Sequence, residues 1–484
     1  MSLPASDVYD LVIIGSGPGG HAAALTASRR GLRTALIERG EWGGDCLNVG
    51  CIPTKALIAV ARRLDAIRRA EALGIDVGPP SLDYRRAHAR NGRIIAGLRD
   101  GLAGLLKQQR VELLRGEARF LDPQTLQLTS SDGAVTRLTA RRAVIATGAQ
   151  PNPGPWRFDG ERILSYRDLL AMTSLPASLL IIGAGAIGCE FASCLSMMGV
   201  RVSIIEQQPQ LLPTEDPEAS RALARQLEGR GVQILTSASV RELSIEGGQV
   251  RASLVSGAAL VAERCLIAIG LRPNVHDLGL EALGIAATGG IEVNRFLITA
   301  QPHIAAIGDC LRGHGLAHVA SAEGALAVRN LLDPTQSALD HRLIPRCVYT
   351  DPEIASVGLC ESQMSRPYRI SRFSFAALGK SLCDEQSDGF VKLLADASTD
   401  RLHGVTVVGA EASTLIHPTV IAMQHELTAA QLGRTITAHP TWAEAITEAA
   451  AQVHGEALFT GQTARVKSPA ASASPVTTPT HGGS

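Results

Sequence analysis

The run Leu11-Val-Ile-Ile-Gly15-Ser-Gly17-Pro-Gly-Gly20 recurs as Leu179-Leu-Ile-Ile-Gly183-Ala-Gly185-Ala-Ile-Gly188, an offset of 168 residues (183 − 15). The same offset carries Gly31 onto Gly199, Arg33 onto Arg201 and Glu38 onto Glu206. Each copy reads as an apolar strand, a Gly-x-Gly-x-x-Gly turn, a helix of small residues, a second strand and then an acid. That order calls for two βαβ units of parallel sheet, each shaped for a dinucleotide. The first glycine permits the tight turn, the second lets a pyrophosphate approach the backbone, and the third lets helix and strand pack closely. The helix N-terminus offers amide donors and partial positive charge to the phosphates. Glu38 and Glu206 stand where a carboxylate accepts hydrogen bonds from an adenosine ribose.

Just after the first copy comes Gly43-Gly44-Asp45-Cys46-Leu-Asn-Val-Gly50-Cys51-Ile-Pro-Thr-Lys55. A structural zinc site would need a second ligand pair. The other cysteines (Cys189, Cys194, Cys265, Cys310, Cys347, Cys360 and Cys383) are scattered, so no metal is expected. A structural disulfide is a poor reading, because so short a loop removes little unfolded-chain entropy and a cytosol would reduce an exposed bridge. The run reads instead as a dithiol made to open and close.

Two dinucleotide sites and such a dithiol imply an electron path with a flavin between nicotinamide and disulfide. Nicotinamide delivers hydride as a two-electron unit, whereas a disulfide is reduced through thiolate attack. The copy beside the cysteines is expected to hold FAD through Gly15, Gly17, Gly20 and Glu38. The second is expected to hold NAD through Gly183, Ala184, Gly185, Ile187, Gly188, Glu190 and Glu206. Gln207 and Gln208 follow Glu206, with no arginine there; a 2′-phosphate would be repelled, so NAD is favoured over NADP.

Charge and hydropathy narrow the partners. Lysine plus arginine equals aspartate plus glutamate, 46 against 46, so no global field favours nucleic acid or an anionic membrane. No apolar stretch approaches the ~20 residues that span a bilayer, and Met1 to Asp7 is unlike a secretory signal. A cytoplasmic protein of about three domains is expected from 484 residues.

With those residues in hand, the chain resembles the flavoprotein disulfide reductases, their dihydrolipoyl dehydrogenase branch most closely, from about Tyr9 to Phe459. The markers are Cys46-Leu-Asn-Val-Gly-Cys51-Ile-Pro-Thr-Lys55, Ala146-Thr-Gly148, Ala268-Ile-Gly270, Ile307-Gly308-Asp309, Leu316-Ala317-His318, Tyr349-Thr-Asp-Pro-Glu353 and Ala438-His439-Pro440-Thr441. The resemblance implies an α/β fold with two Rossmann-like domains and a C-terminal α+β dimerisation domain. It places an FAD-binding domain at 1–149, an NAD-binding domain at 150–274, a central segment completing the FAD domain at 275–343, and an interface domain building a homodimer at 344–462. Within the last, Phe390-Val-Lys-Leu-Leu and Gly404-Val-Thr-Val-Val-Gly409 read as strands and Leu415 to Leu432 as helix. Residues 463–484, rich in Ala, Ser, Pro and Thr, read as a disordered tail.

By the same resemblance Cys46 is the interchange thiol that meets substrate and Cys51 the thiol against the flavin. Lys55 lies near the flavin and pairs with Glu190. Ala118, Thr147, Gly148, Asp309 and Ala317 match FAD contacts, while Val240, Ala268, Gly270 and Leu271 match contacts flanking NAD. His-Pro-Thr occurs at both His417 and His439. A catalytic histidine needs a carboxylate to orient it and to stabilise its protonated form. Glu444 stands five residues after His439, whereas Ala422 occupies the matching place after His417. His439 is therefore expected as the base with Glu444 as its partner, His417 as a helix-end residue and His318 as structural. Two residues depart from the family pattern. Asp45 puts a charge beside Cys46 that would oppose thiolate formation, and Thr414 stands where a glutamate is common.

The function implied is oxidation of protein-bound dihydrolipoamide to lipoamide, with NAD+ reduced to NADH through the disulfide and FAD. The partner would be the lipoyl domain of a 2-oxo-acid dehydrogenase or glycine-cleavage complex. The alternative is another NAD(P)H-dependent flavoprotein disulfide or mercuric reductase, but no cysteine follows Cys383 to form the C-terminal pair of mercuric reductases. A non-catalytic assembly component is disfavoured by the presence of both cysteines, His439 and Glu444.

Overall fold

The structure, a computed structural model, describes residues 8–313, 315–333, 337–461 and 464–468. Its first parallel sheet runs Ile304–Ala306, Ala143–Ile145, Leu11–Ile14, Thr34–Glu38, Glu112–Arg115. Leu11 to Ile14 are all buried, as expected of a parallel strand covered on both faces. Helix Pro18–Ser28 follows, opened by a proline whose missing amide costs nothing in the first turn. The strand Ile304–Ala306 comes from far along the chain and shares one core with the first βαβ unit. Helix Ala317–Leu332 then lies on helix Pro18–Ser28 so closely that a Cβ on Gly324 would fall 2.2 Å from the Gly19 carbonyl oxygen.

The second parallel sheet runs Ile163–Leu164, Arg264–Ile267, Ser178–Ile182, Arg201–Ile205, Gln233–Leu235. An antiparallel sheet of Val240–Glu246, Gln249–Leu254 and Ala259–Ala262 packs beside it. The chain leaves the first unit through Ala149–Pro151 and returns through Leu271–Pro273, and these two segments pair antiparallel. Helices Cys51–Arg68 and Tyr84–Gln108 connect the dithiol run to the rest of the first unit.

The C-terminal part is a six-stranded antiparallel sheet in the order Arg346–Val348, Glu353–Gly358, Leu402–Gly409, Phe390–Asp396, Tyr368–Ser374, Arg465–Lys467. Helices Ala412–Gln424 and Glu444–Gln452 cover it. Three expectations need correction here. The helix expected over Leu415 to Leu432 is two, Ala412–Gln424 and Ala429–Gly433. Glu426 takes a left-handed φ of 52° between them, and Thr428 with Gln431 caps the second. His417 is not at a helix end but exposed within Ala412–Gln424. The tail expected to be disordered over 463–484 contains the strand Arg465–Lys467, which pairs with Tyr368–Ile370 and is held by Lys467 on Glu361; residues 463 and 469–484 lie outside the described residues. Among the described residues no helix is long and apolar enough to cross a membrane.

Candidate active site

The repeated sequence builds a repeated cradle, down to single hydrogen bonds. Glu38 Oε2 accepts from the Ser16 amide at 3.0 Å and Oε1 from the Gly40 amide at 2.8 Å. Glu206 Oε2 accepts from the Ala184 amide at 2.6 Å and Oε1 from the Gln208 amide at 2.7 Å. Gly15 and Gly183 have φ of 101° and 99°, and a Cβ there would lie 2.2 Å from the Ala146 oxygen and 2.5 Å from the Ala268 oxygen. Gly20 and Gly188 press against the first glycine of their own turn at 1.8 and 2.0 Å. Gly17 and Gly185 differ from these: a Cβ on either would meet nothing within 4 Å. The open space lies where a pyrophosphate must approach the backbone, so both turns fit a dinucleotide.

The later segments repeat as well. The Ala146 amide donates to the Ile14 oxygen and the Ala268 amide to the Ile182 oxygen, each at 2.8 Å. Gly116 donates to the Glu38 oxygen and Ala238 to the Glu206 oxygen, which places Ala118 and Val240 at equivalent positions two residues on. Thr147 and Gly148 are tied to Asn274 through Thr147 Oγ1 at 2.7 Å and the Gly148 oxygen at 2.9 Å. Gly270 (φ 109°) precedes Leu271 at the crossing between units, and Ile187 sits partly buried in the helix after Gly185. Ala317 opens its helix, and Asp309 lies in the turn Gly308–Cys310, its carboxyl held above the usual range by burial and by the charge of Asp45.

Cys46 lies in the short helix Gly44–Asn48 and Cys51 begins Cys51–Arg68. A Cβ on Gly50 would stand 3.0 Å from the Asp45 oxygen and 3.3 Å from Cys46 Cα, so glycine permits the turn that folds one cysteine onto the other. The two thiols are not equal. The hydrogen bond from Cys46 and the Lys55 ammonium hold Cys51 below the usual thiol range despite burial. That same hydrogen bond, together with burial, pushes Cys46 up. Lys55 stands one helical turn after Cys51, with Nζ 2.7 Å from Glu190 Oε2 and 4.5 Å from the centre of the Tyr349 ring. Glu190 also accepts from the Tyr349 amide at 3.0 Å. The dithiol helix is thus tied to the helix after the second cradle.

His439 Nδ1 is 2.7 Å from Glu444 Oε1, and the Thr441 amide donates to Glu444 Oε2 at 2.9 Å. Burial alone would raise the Glu444 carboxyl, but Thr441 and His439 hold it below its usual range. The His439 side chain remains 68% exposed, and its Nε2 is the nitrogen left for chemistry. Among the described residues no hydrogen bond or ion pair joins His439 to Cys46. His318 Nε2 contacts the Pro345 oxygen at 2.9 Å.

Tyr349, in the marker run Tyr349-Thr-Asp-Pro, also belongs to the site. Tyr166 and Arg167 belong to it as well but carry no motif of their own. Tyr166 and Arg167 bind Asp45 from 121 and 122 residues away along the chain (166 − 45 and 167 − 45), and no local signal points to them.

Residues 9–324 match the pyridine nucleotide-disulphide oxidoreductase family and residues 344–450 match the dimerisation domain of that family. The chain belongs to the pyridine nucleotide-disulphide oxidoreductases. It is an oxidoreductase, and FAD and NAD are its cofactors. A dihydrolipoyl dehydrogenase of Chlorobaculum tepidum is 39% identical over 91% of this chain and 96% of its own length. One from Bacillus subtilis is 36% identical over 93% and 99%. Among solved structures, LpdA from Mycobacterium tuberculosis superposes with a TM-score of 0.87 at 30% identity, over 92% of this chain and 99% of that one. The HOCl-induced flavoprotein disulfide reductase RclA from Escherichia coli gives 0.82 at 27% identity, with the same coverage.

Proposed function

We propose that the chain is an NAD-linked dihydrolipoyl dehydrogenase, a homodimer acting on the lipoyl domain of a 2-oxo-acid dehydrogenase or glycine-cleavage complex. A reducing cytoplasm suits a dithiol that must open and close. The observation that carries the reading is the dithiol turn, in which Gly50 folds Cys51 onto Cys46 and the Cys51 helix is tied by the Lys55–Glu190 bridge to the helix of the second cradle. FAD would be held by the Gly15–Gly20 turn, Glu38 and Asp309, and NAD by the Gly183–Gly188 turn and Glu206. Bound FAD supplies a two-electron acceptor between dithiol and nicotinamide.

The chain's own residues then divide the work. His439 Nε2 takes the proton of a substrate thiol, and Glu444 holds the ring at Nδ1 and stabilises the imidazolium. The substrate thiolate attacks Cys46 Sγ, the Cys46–Cys51 bond breaks, and Cys51 leaves as a thiolate stabilised by Lys55. The second substrate thiol displaces Cys46 from the mixed disulfide, giving lipoamide, and its proton passes to the departing Cys46 sulfur, while His439 keeps the first proton as an imidazolium held by Glu444.

The C-terminal position of His439, its exposure and the dimerisation domain support a base supplied across the subunit interface. Mixing His439→Gln subunits with Cys46→Ser subunits tests this, because each heterodimer regains one complete site. Heterodimers make up about half of a statistical mixture of such symmetric dimers, so recovery of about a quarter of wild-type activity is expected. No recovery, with subunit exchange shown independently, would refute a base acting in trans.

A further inference from the structure

Asp45 is the charged neighbour of Cys46, and two side chains of a separate element bind it. Arg167 Nη2 lies 2.7 Å from Asp45 Oδ1, and the Tyr166 hydroxyl donates to Oδ2. Both belong to the short helix Tyr166–Ala171, whose start is fixed by a capping box between Ser165 and Asp168. Arg167 also donates to the Ala149 oxygen at 3.3 Å, just after Thr147-Gly148 of the first cradle. Its Nε is buried with no hydrogen-bond partner among the described residues.

The other charged and titratable groups facing this corner are Cys51 and Lys55 on the redox helix, Glu190 with Tyr349, and Asp309. Lys55 is paired with Glu190 at 2.7 Å and still acts on both thiols. Asp45 is then the carboxylate nearest Cys46 in sequence, and Arg167 is the cation that compensates it. A bare carboxylate beside a thiol disfavours its thiolate, whereas one tied to a guanidinium does so far less.

We propose that Tyr166 and Arg167 are positioning residues for the interchange thiol: by binding the Asp45 carboxylate they fix the Cys46 turn and cancel the charge that would keep Cys46 protonated. This rests on the reading of Cys46 as the thiol that meets substrate. It gives Asp45 a place in the site, as one half of a neutral pair that the helix Tyr166–Ala171 completes. Removing Arg167 alone leaves the charge exposed to Cys46, and removing Asp45 as well removes the charge.

The test is alkylation of the NADH-reduced holoenzyme by iodoacetamide as a function of pH, with the labelled cysteine located by peptide mapping. Wild type is expected to label at Cys46. Arg167→Met should move the apparent pKa of labelling up by about one unit and slow labelling at neutral pH about tenfold. The Arg167→Met/Asp45→Asn double variant should return to the wild-type profile. Tyr166→Phe, a smaller change, should shift the profile in the same direction by less, and Asp45→Asn should reverse that as well; this pair decides the matter if Arg167→Met does not fold. An unshifted profile in both Arg167→Met and Tyr166→Phe would overturn the proposal, and so would a shift that Asp45→Asn fails to reverse, since a purely structural defect would persist. Wild-type labelling at Cys51 would overturn the assignment of the thiols themselves, and the proposal with it.

Discussion

In the first cradle Ser16 is fully buried, and its hydroxyl accepts from the Gly43 amide at 3.0 Å. Gly44 comes so close that a Cβ there would lie 2.6 Å from Gly17 Cα. The redox turn and helix Ala317–Leu332 both close over this copy. In the second cradle Ala184 replaces Ser16, and Ala186, at the position of Pro18, is exposed. The two share a backbone trap for a dinucleotide and differ in what covers it. A covered trap suits a cofactor that stays through turnover, and an open one suits a coenzyme that must leave each cycle. Under the proposed function one repeated motif would serve two residence times through packing rather than through its glycines.

The largest effect that probes this division separates the two half-reactions. His439→Gln should lower dihydrolipoamide oxidation by about 10²–10⁴-fold, the range for loss of a general base. Flavin reduction by NADH, for which the second cradle is the proposed site, should survive, and His417→Gln should leave both unchanged. Stopped-flow measurement of each half-reaction checks this. At the next level, a charge-assisted hydrogen bond is worth roughly 1.5–3 kcal/mol, so Glu206→Ala should reduce kcat/KM for NAD about ten- to a hundredfold and improve NADP in relative terms. Glu38→Ala should instead release flavin on gel filtration with little change in KM for NAD.

Within the second cradle, Gly185→Ala should raise KM for NAD about tenfold, a change of about 1.4 kcal/mol, and leave Tm in place, because the added Cβ meets no protein atom. Gly183→Ala, with its backbone clash and positive φ, should lower Tm. The smallest effect belongs to the support of the first cradle. Glu323 accepts from the Gly308 amide at 2.7 Å, and burial pushes its carboxyl up to about 7 from 4.5. A carboxyl whose folded pKa is raised stabilises the fold in its protonated state, a contribution that is complete below the unfolded value and lost as pH rises through about 7. Melting curves between those values should show Tm falling with pH by a few degrees at most, and Glu323→Gln should flatten the trend.

What is legible from sequence in this molecule is what must be local. The phosphate turns, the glutamates that close them and the dithiol each need residues at fixed short spacings, so the offset of 168 already contains both cradles. His439 stands out from His417 because Glu444 is only five residues away. The anchoring of Asp45 is not legible, since Tyr166 and Arg167 reach it through the tertiary fold and no spacing rule connects them. The break at Glu426 is hidden by apolar residues that run on through Leu427 and Leu432. The strand Arg465–Lys467 comes from a short sequence with little β-propensity of its own, and it exists because the edge strand Tyr368–Ser374 offers it hydrogen bonds.

The most direct test of the electron path is an anaerobic titration of the holoenzyme with dihydrolipoamide, followed through the flavin spectrum. A stoichiometric amount should give wild-type enzyme a long-wavelength charge-transfer band from the Cys51 thiolate. Cys46→Ser should show the band before any reductant is added, and Cys51→Ser should lack it throughout. A wild-type flavin that responds to NADH but stays unchanged with dihydrolipoamide, or identical spectra for the two serine variants, would contradict a path running from substrate through Cys46 and Cys51 to the first cradle.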